Sequence, residues 1–219
     1  MSVSMLRLFS LPVIALTGLS VWTPQTYAVG GKQDTADWPC PQRKVAKLAA
    51  SDLQWQGAAP ETVKGWRDDG AVVGLVKILS SRRTPIEDAV KALKAYSELV
   101  PAADRSAKLT VVFAGLLETE NEYRASVIEG IERFNKRQKT RSAEIEQEGS
   151  KLAELQKAAE KDPKAKPDYD KALELYDWNA RVFEERRQNL PLACEIPPAI
   201  DSRIFDLVRE IQTLTGQPG

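Results

Sequence analysis

Glu118, Glu120 and Glu122 stand in one short stretch with Tyr123 and Arg124, and paired carboxylates are the side chains that glycoside hydrolysis uses as acid and base. The stretch reads as helix, so sequence neighbours point in different directions and only Glu118 and Glu122 share a face. A like-charged pair four residues apart with Arg124 nearby is the pattern of a solvated surface, and no cleft-forming partner accompanies it. The rest of the chain offers little other chemistry. It has no histidine, and its two methionines, Met1 and Met5, lie at the extreme N-terminus. Without imidazole there is no Ser-His-Asp or Cys-His nucleophile, no His-ligated zinc, and none of the commonest general base near neutral pH. No catalytic residue, metal or cofactor is therefore assigned, and the sequence points away from an enzyme. The glycine pair in Gly70-Ala71-Val72-Val73-Gly74 lacks the Lys-Ser/Thr ending of a phosphate loop and reads as a turn or a close helix contact.

The two cysteines are the next reactive groups. Cys40 lies in Trp38-Pro39-Cys40-Pro41 and Cys194 in Pro191-Leu192-Ala193-Cys194-Glu195-Ile196-Pro197-Pro198, both rich in helix breakers. There is no C-x-x-C and no third or fourth soft ligand, which disfavours a redox pair or a metal-thiolate site. An even number of cysteines in an oxidising compartment predicts a disulfide from Cys40 to Cys194. It would tie an N-terminal strap to the last turn between helices.

Arg133, Lys136, Arg137, Lys139 and Arg141, with Arg186 and Arg187 across a turn, form a local basic collar that could hold an acidic partner or touch an anionic surface weakly. Against this, Glu129 with Arg133, Glu132 with Lys136 and Arg181 with Glu185 stand four apart and could neutralise one another as a solvated surface. Trp38 and Trp55 lie in the strap. They either anchor it onto helices or line a groove with Tyr96 for a partner.

All these residues must be positioned by helices, because nothing in the chain alternates as a sheet would. Dense apolar residues from Val72 to Leu79 predict a short helix. Thr84-Pro85-Ile86-Glu87 reads as a capping box opening a second helix, which Pro101 ends. From about Asp104 to Glu160 there is no proline and apolar residues recur at helical intervals, predicting one very long helix. Leu109, Val112, Phe113, Leu116, Tyr123, Val127, Ile131 and Phe134 would be its buried half. A turn around Pro163 and Pro167 follows, and then Tyr169, Leu173, Tyr176, Ala180, Phe183, Arg187 and Leu190 step by four and three, which is heptad spacing. Folded back antiparallel, Leu173 meets Leu155, Tyr176 meets Leu152, Ala180 meets Glu148 and Phe183 meets Ile145. Arg141 would then oppose Arg187, with Glu144 and Glu184 to offset them. A final helix carries Ile200, Ile204, Leu207, Val208 and Ile211 and stops near Gly216. The expected fold is all-α: one helical domain over 29–219, with 141–187 as a projecting coiled-coil hairpin and an irregular N-terminal strap held by one disulfide.

Compartment is read from the other end. Arg7 followed by an apolar run from Leu8 to Trp22, then Thr26-Tyr27-Ala28, has the form of an export signal cleaved after Ala28, so that 1–28 would be removed. The run is shorter than the ~20 residues a membrane span needs. Without Arg7 the chain carries 30 basic and 31 acidic side chains, a balance that argues against nucleic-acid binding. The expectation is a periplasmic or secreted interaction protein, an accessory or scaffold subunit for another envelope protein. A holdase-type chaperone is the alternative, and a carboxylate-only hydrolase the least favoured reading.

Overall fold

The computed structural model describes residues 37–216; the export signal read at 1–28 lies outside the described residues. The protein is an all-α helical bundle, with no strand among the described residues. Three short 3₁₀ turns, Ala50–Leu53, Pro60–Thr62 and Trp66–Asp68, precede the first long element.

Helix α1 spans Gly70–Ser80. Asp69 starts it, its carboxylate accepting from the amides of Ala71 and Val72 at 3.1 and 3.3 Å, which satisfies donors that a helix start leaves unpaired. Helix α2 spans Ile86–Leu99. The capping box expected at Thr84 does not form: Pro85 is the N-cap and no side chain closes the turn. Thr84 is instead drawn into the turn after α1, its amide donating to the Ser81 carbonyl. Arg105 caps the other end of α2, donating to the carbonyls of Ser97 and Val100 at 2.9 and 3.4 Å.

Helix α3 runs unbroken over Arg105–Lys161, 57 residues. Its first third is the centre of the core. Leu109, Val112, Phe113 and Leu116 are fully buried, packed with Val72, Leu75, Val76 and Leu79 of α1, Ala89 and Leu93 of α2, and Ile204, Leu207, Val208 and Ile211 of the last helix. Gly115 makes this packing possible, because a Cβ there would lie 2.8 Å from the Trp66 ring and 3.0 Å from Val76. Gly74, by contrast, has nothing within 4 Å, so the glycine pair of α1 is not a close helix contact. Tyr123, expected in the buried half, is 38% exposed. Its hydroxyl accepts from Arg82, and Glu120, Arg124 and Ile128 occupy the buried line instead.

Beyond the core, α3 continues to a 3₁₀ turn at Pro163–Ala165 and the chain returns as α4, Lys166–Gln188. The two helices form an antiparallel hairpin whose half-buried seam includes Ile145, Leu152, Leu155 and Ala159 on α3 and Tyr169, Leu173, Tyr176, Ala180 and Phe183 on α4. Asn179 reaches Glu148 at 3.0 Å, one position from the expected Ala180. The Tyr176 ring comes within 3.4 Å of where a Cβ of Gly149 would sit, an ordinary packing distance. No residue of α4 is fully buried. Arg187 is exposed and held by Glu184, so it leaves the seam, while Arg141 pairs with Glu144 and Glu148 at 2.8 and 3.1 Å.

Two helices close the chain, α5 over Leu190–Cys194 and α6 over Ile196–Thr215. The prolines flanking Cys194 begin these helices rather than break them, since a proline in a first turn removes an amide that has no helical partner there. Gly216, with φ 77°, ends α6. Arg203 on α6 donates to the Leu79 carbonyl at 2.9 Å and so covers the end of α1.

Cys40 and Cys194 are joined in a disulfide, with Cα atoms 5.5 Å apart, packed against Ile131 and Trp38. The strap behind it lies antiparallel along α3. Asn135 donates to the Asp37 carbonyl, Lys44 pairs with Glu132, Arg124 donates to the Val45 carbonyl, and Asn121 both accepts from and donates to the Leu48 backbone. Irregular backbone is expensive to bury unless its polar groups are met, and these side chains meet them.

Candidate functional site

The acidic stretch is divided by the turn of α3. Glu118 and Glu122 face the strap side, where Arg67 lies 2.9 Å from one and 3.5 Å from the other. The cation that neutralises this pair is therefore Arg67 and not Arg124. Glu118 also accepts from the Trp66 indole at 2.6 Å. These donors, Trp66 foremost, hold its carboxyl below the ordinary range. Glu118 and Glu61 line one cavity of about 460 Å³ with Leu48, Pro60, Val63, Trp66 and Leu117. Glu118 is tied and ionised there, which does not make the protonated acid that a carboxylate-only hydrolase requires.

Glu120 and Arg124 turn the other way, into the body. Glu120 is 3% exposed, and burial pushes its carboxyl up to about 7, with Arg203 and Arg82 drawing it back. One of its oxygens has no hydrogen-bond partner, and neither does one terminal nitrogen of Arg203. Arg124, also 3% exposed, is held by Asp201 of α6 and the Val45 carbonyl. Neither Glu120 nor Arg124 was expected on the buried stripe, although a signal existed: Leu117, Glu120, Arg124, Ile128 and Ile131 keep helical spacing along it.

The two strap tryptophans do not share a groove. Trp38 donates to the Gln42 carbonyl at 2.7 Å and packs on the disulfide. Trp55 stacks on Phe113 with ring centroids 4.3 Å apart, and its indole donates to the Ala58 carbonyl. Tyr96 packs against the same core, half-buried. Both tryptophans thus anchor the strap at different points.

The basic collar separates into parts. Arg133 pairs with Glu129 at 3.2 Å, as the spacing suggested. Glu132 turns to Lys44 and not to Lys136, while Arg133 and Lys136 border a smaller hollow with Asp37 and Lys44. Lys139 pairs with Asp37, and Arg187 with Glu184. Arg181 stands over Trp178, 5.9 Å from the ring. What the hairpin root does bring together is Arg137, Arg141 and Arg186, around a groove of about 540 Å³ completed by Phe134, Gln138, Thr140 and Glu144. Arg141 is neutralised by Glu144 and Glu148. Arg137 and Arg186 have no carboxylate partner among the described residues. The buried side-chain nitrogen of Gln138 has no acceptor. Two unpaired guanidinium groups around one hollow suit a carboxylate-bearing ligand.

Among the described residues no three of Asp, Glu, Cys and His gather as a metal site, and no helix is long and apolar enough to cross a membrane. Comparison with protein-family models, with curated proteins and with solved structures finds no match to this chain.

Proposed function

We propose that the protein is an exported, non-enzymatic interaction protein, an accessory or scaffold subunit that takes an acidic segment of another envelope protein into the groove at the hairpin root. The observation that carries this reading is the pair of unused guanidinium groups there, Arg137 and Arg186, exposed and without counter-charges among the described residues. A guanidinium fork matches a carboxylate in two parallel hydrogen bonds, and a carboxylate-rich loop would supply both the acceptors and the charge. Export is supported by the signal-like N-terminus and by the disulfide, which suits an oxidising compartment.

The test has two arms. A purified peptide rich in Asp and Glu, titrated into the oxidised protein, should shift the NMR signal of the Gln138 side-chain amide and the backbone amides around Thr140. A photocrosslinker at exposed Thr140 should capture one dominant envelope protein. The double substitution Arg137→Glu/Arg186→Glu should abolish both while leaving the thermal melt unchanged. Retention of peptide and partner by that variant would refute the groove. Capture of many unrelated unfolded clients would replace this reading with the chaperone one.

A further inference from the structure

The outer face of α4 carries a pattern that nothing in the monomer uses. Opposite its seam, Lys171, Trp178 and Glu185 recur every seven residues, and all three are exposed. Trp178 is 59% exposed, as is Leu175 beside it. The Trp178 ring has the Arg181 guanidinium 5.9 Å from its centre. Exposed aromatic surface of this kind marks contact faces. No ion pair within the chain involves Lys171, Glu174 or Glu185 among the described residues.

We propose that this face binds a second copy of the chain, α4 against α4, antiparallel, about a two-fold axis through Trp178. The argument is self-complementarity, which a two-fold contact demands because the same patch supplies both sides. Reversing α4 about Trp178 sets Lys171 opposite Glu185 of the second copy and Glu185 opposite its Lys171. On one flank Glu174 meets Arg181. On the other flank Leu175 meets the half-buried Val182, and Trp178 meets Trp178 at the centre. No like charges oppose one another along these three lines. The Lys171 and Glu185 contacts lie seven residues either side of the axis, about 10 Å along the helix at the α-helical rise, so both form in one straight contact.

Analytical ultracentrifugation of the oxidised protein, up to about a millimolar, should show a reversible monomer–dimer equilibrium. Lys171→Glu alone and Glu185→Lys alone each place like charges at two symmetric contacts and should weaken dimerisation by at least about tenfold. The double variant Lys171→Glu/Glu185→Lys restores opposite charges and should recover it, whereas Trp178→Glu should abolish it. All three positions are on the hairpin surface, so unchanged thermal melts would show that the fold is intact. A protein that stays monomeric over the whole range overturns the proposal, even if it captures a different protein through Trp178. So does a double variant as weak as the single ones.

Discussion

Arg124 of α3 holds Asp201 of α6 through two hydrogen bonds, of 2.6 and 3.1 Å, while its remaining nitrogen serves the Val45 carbonyl of the strap. One side chain thus joins the long helix, the last helix and the irregular N-terminal segment. The Arg124 side chain is 4% exposed and that of Asp201 36%, so the cost of breaking the pair is unequal on its two sides. Asp201→Ala leaves a buried cation without its counter-charge and should cost about 3 kcal/mol. Arg124→Met/Asp201→Ala should lose less than the two single substitutions together, with a coupling of at least about 1 kcal/mol in urea unfolding. Simple additivity would show that the pair contributes nothing as a pair.

Glu120 makes stability depend on pH in the direction opposite to a salt-bridged acid. Its carboxyl is raised from the ordinary 4.5 to about 7 by burial, against the opposing pull of Arg203 and Arg82. Below pH 4.5 it is protonated in both states and its contribution to stability is fully present. As pH rises toward and through 7 the unfolded chain has already released the proton, and that contribution, at most about 3 kcal/mol, is lost. Glu120→Gln should therefore gain stability over the natural protein above pH 7, and the gain should vanish near pH 4.5. Denaturant midpoints at several pH values measure the difference, and a gain independent of pH would assign it to packing alone.

Two helical glycines should respond in opposite directions to the same substitution. Gly115→Ala drives a methyl into the Trp66 ring, whose indole is fixed on Glu118, and should cost about 2 kcal/mol. Gly74→Ala meets nothing within 4 Å and should gain up to about 1 kcal/mol from helix propensity. Thermal melts of the two variants check both signs.

The disulfide closes a sequence separation of 154 residues, for which the chain-entropy model gives about 5 kcal/mol. Reduction, or Cys40→Ser/Cys194→Ser, should lower the urea midpoint and change the emission of Trp38, which packs on the bond. Intact mass after alkylation without reductant should show no free thiol. Two labelled cysteines would mean that the strap is not covalently held.

Much of this fold was legible before any coordinates. The proline-free stretch ending near Glu160 became a 57-residue helix because nothing in it interrupts the amide ladder. Heptad steps after Pro167 placed the return helix in nearly the right register. Only two cysteines were present, so one pairing was possible. Arg137, Arg141 and Arg186, all in the expected collar, line one groove, which spacing alone did not distinguish from the rest of the collar. Tyr123 and Arg124 show where reading failed. They are adjacent, both amphipathic, and the stripe tolerated either; a tyrosine was expected inside and an arginine outside, and the reverse holds.

By itself, the chain's order of residues determined the long helices, their ends to within a few positions, and the cross-link, because these depend on backbone amides, prolines and spacing along one segment; it did not determine the short α5. Only the tertiary structure decided that Arg124 and Glu120 are inside, that the strap runs back along α3, and that Arg137 and Arg186 keep their charges unpaired while Arg141 and Arg187 do not. The physical reason is the same in each case. A charged side chain is satisfied by whichever partner the fold brings to it, and Asp201, the Val45 carbonyl and Glu148 reach these arginines by packing and helix geometry that spacing along the chain does not reveal.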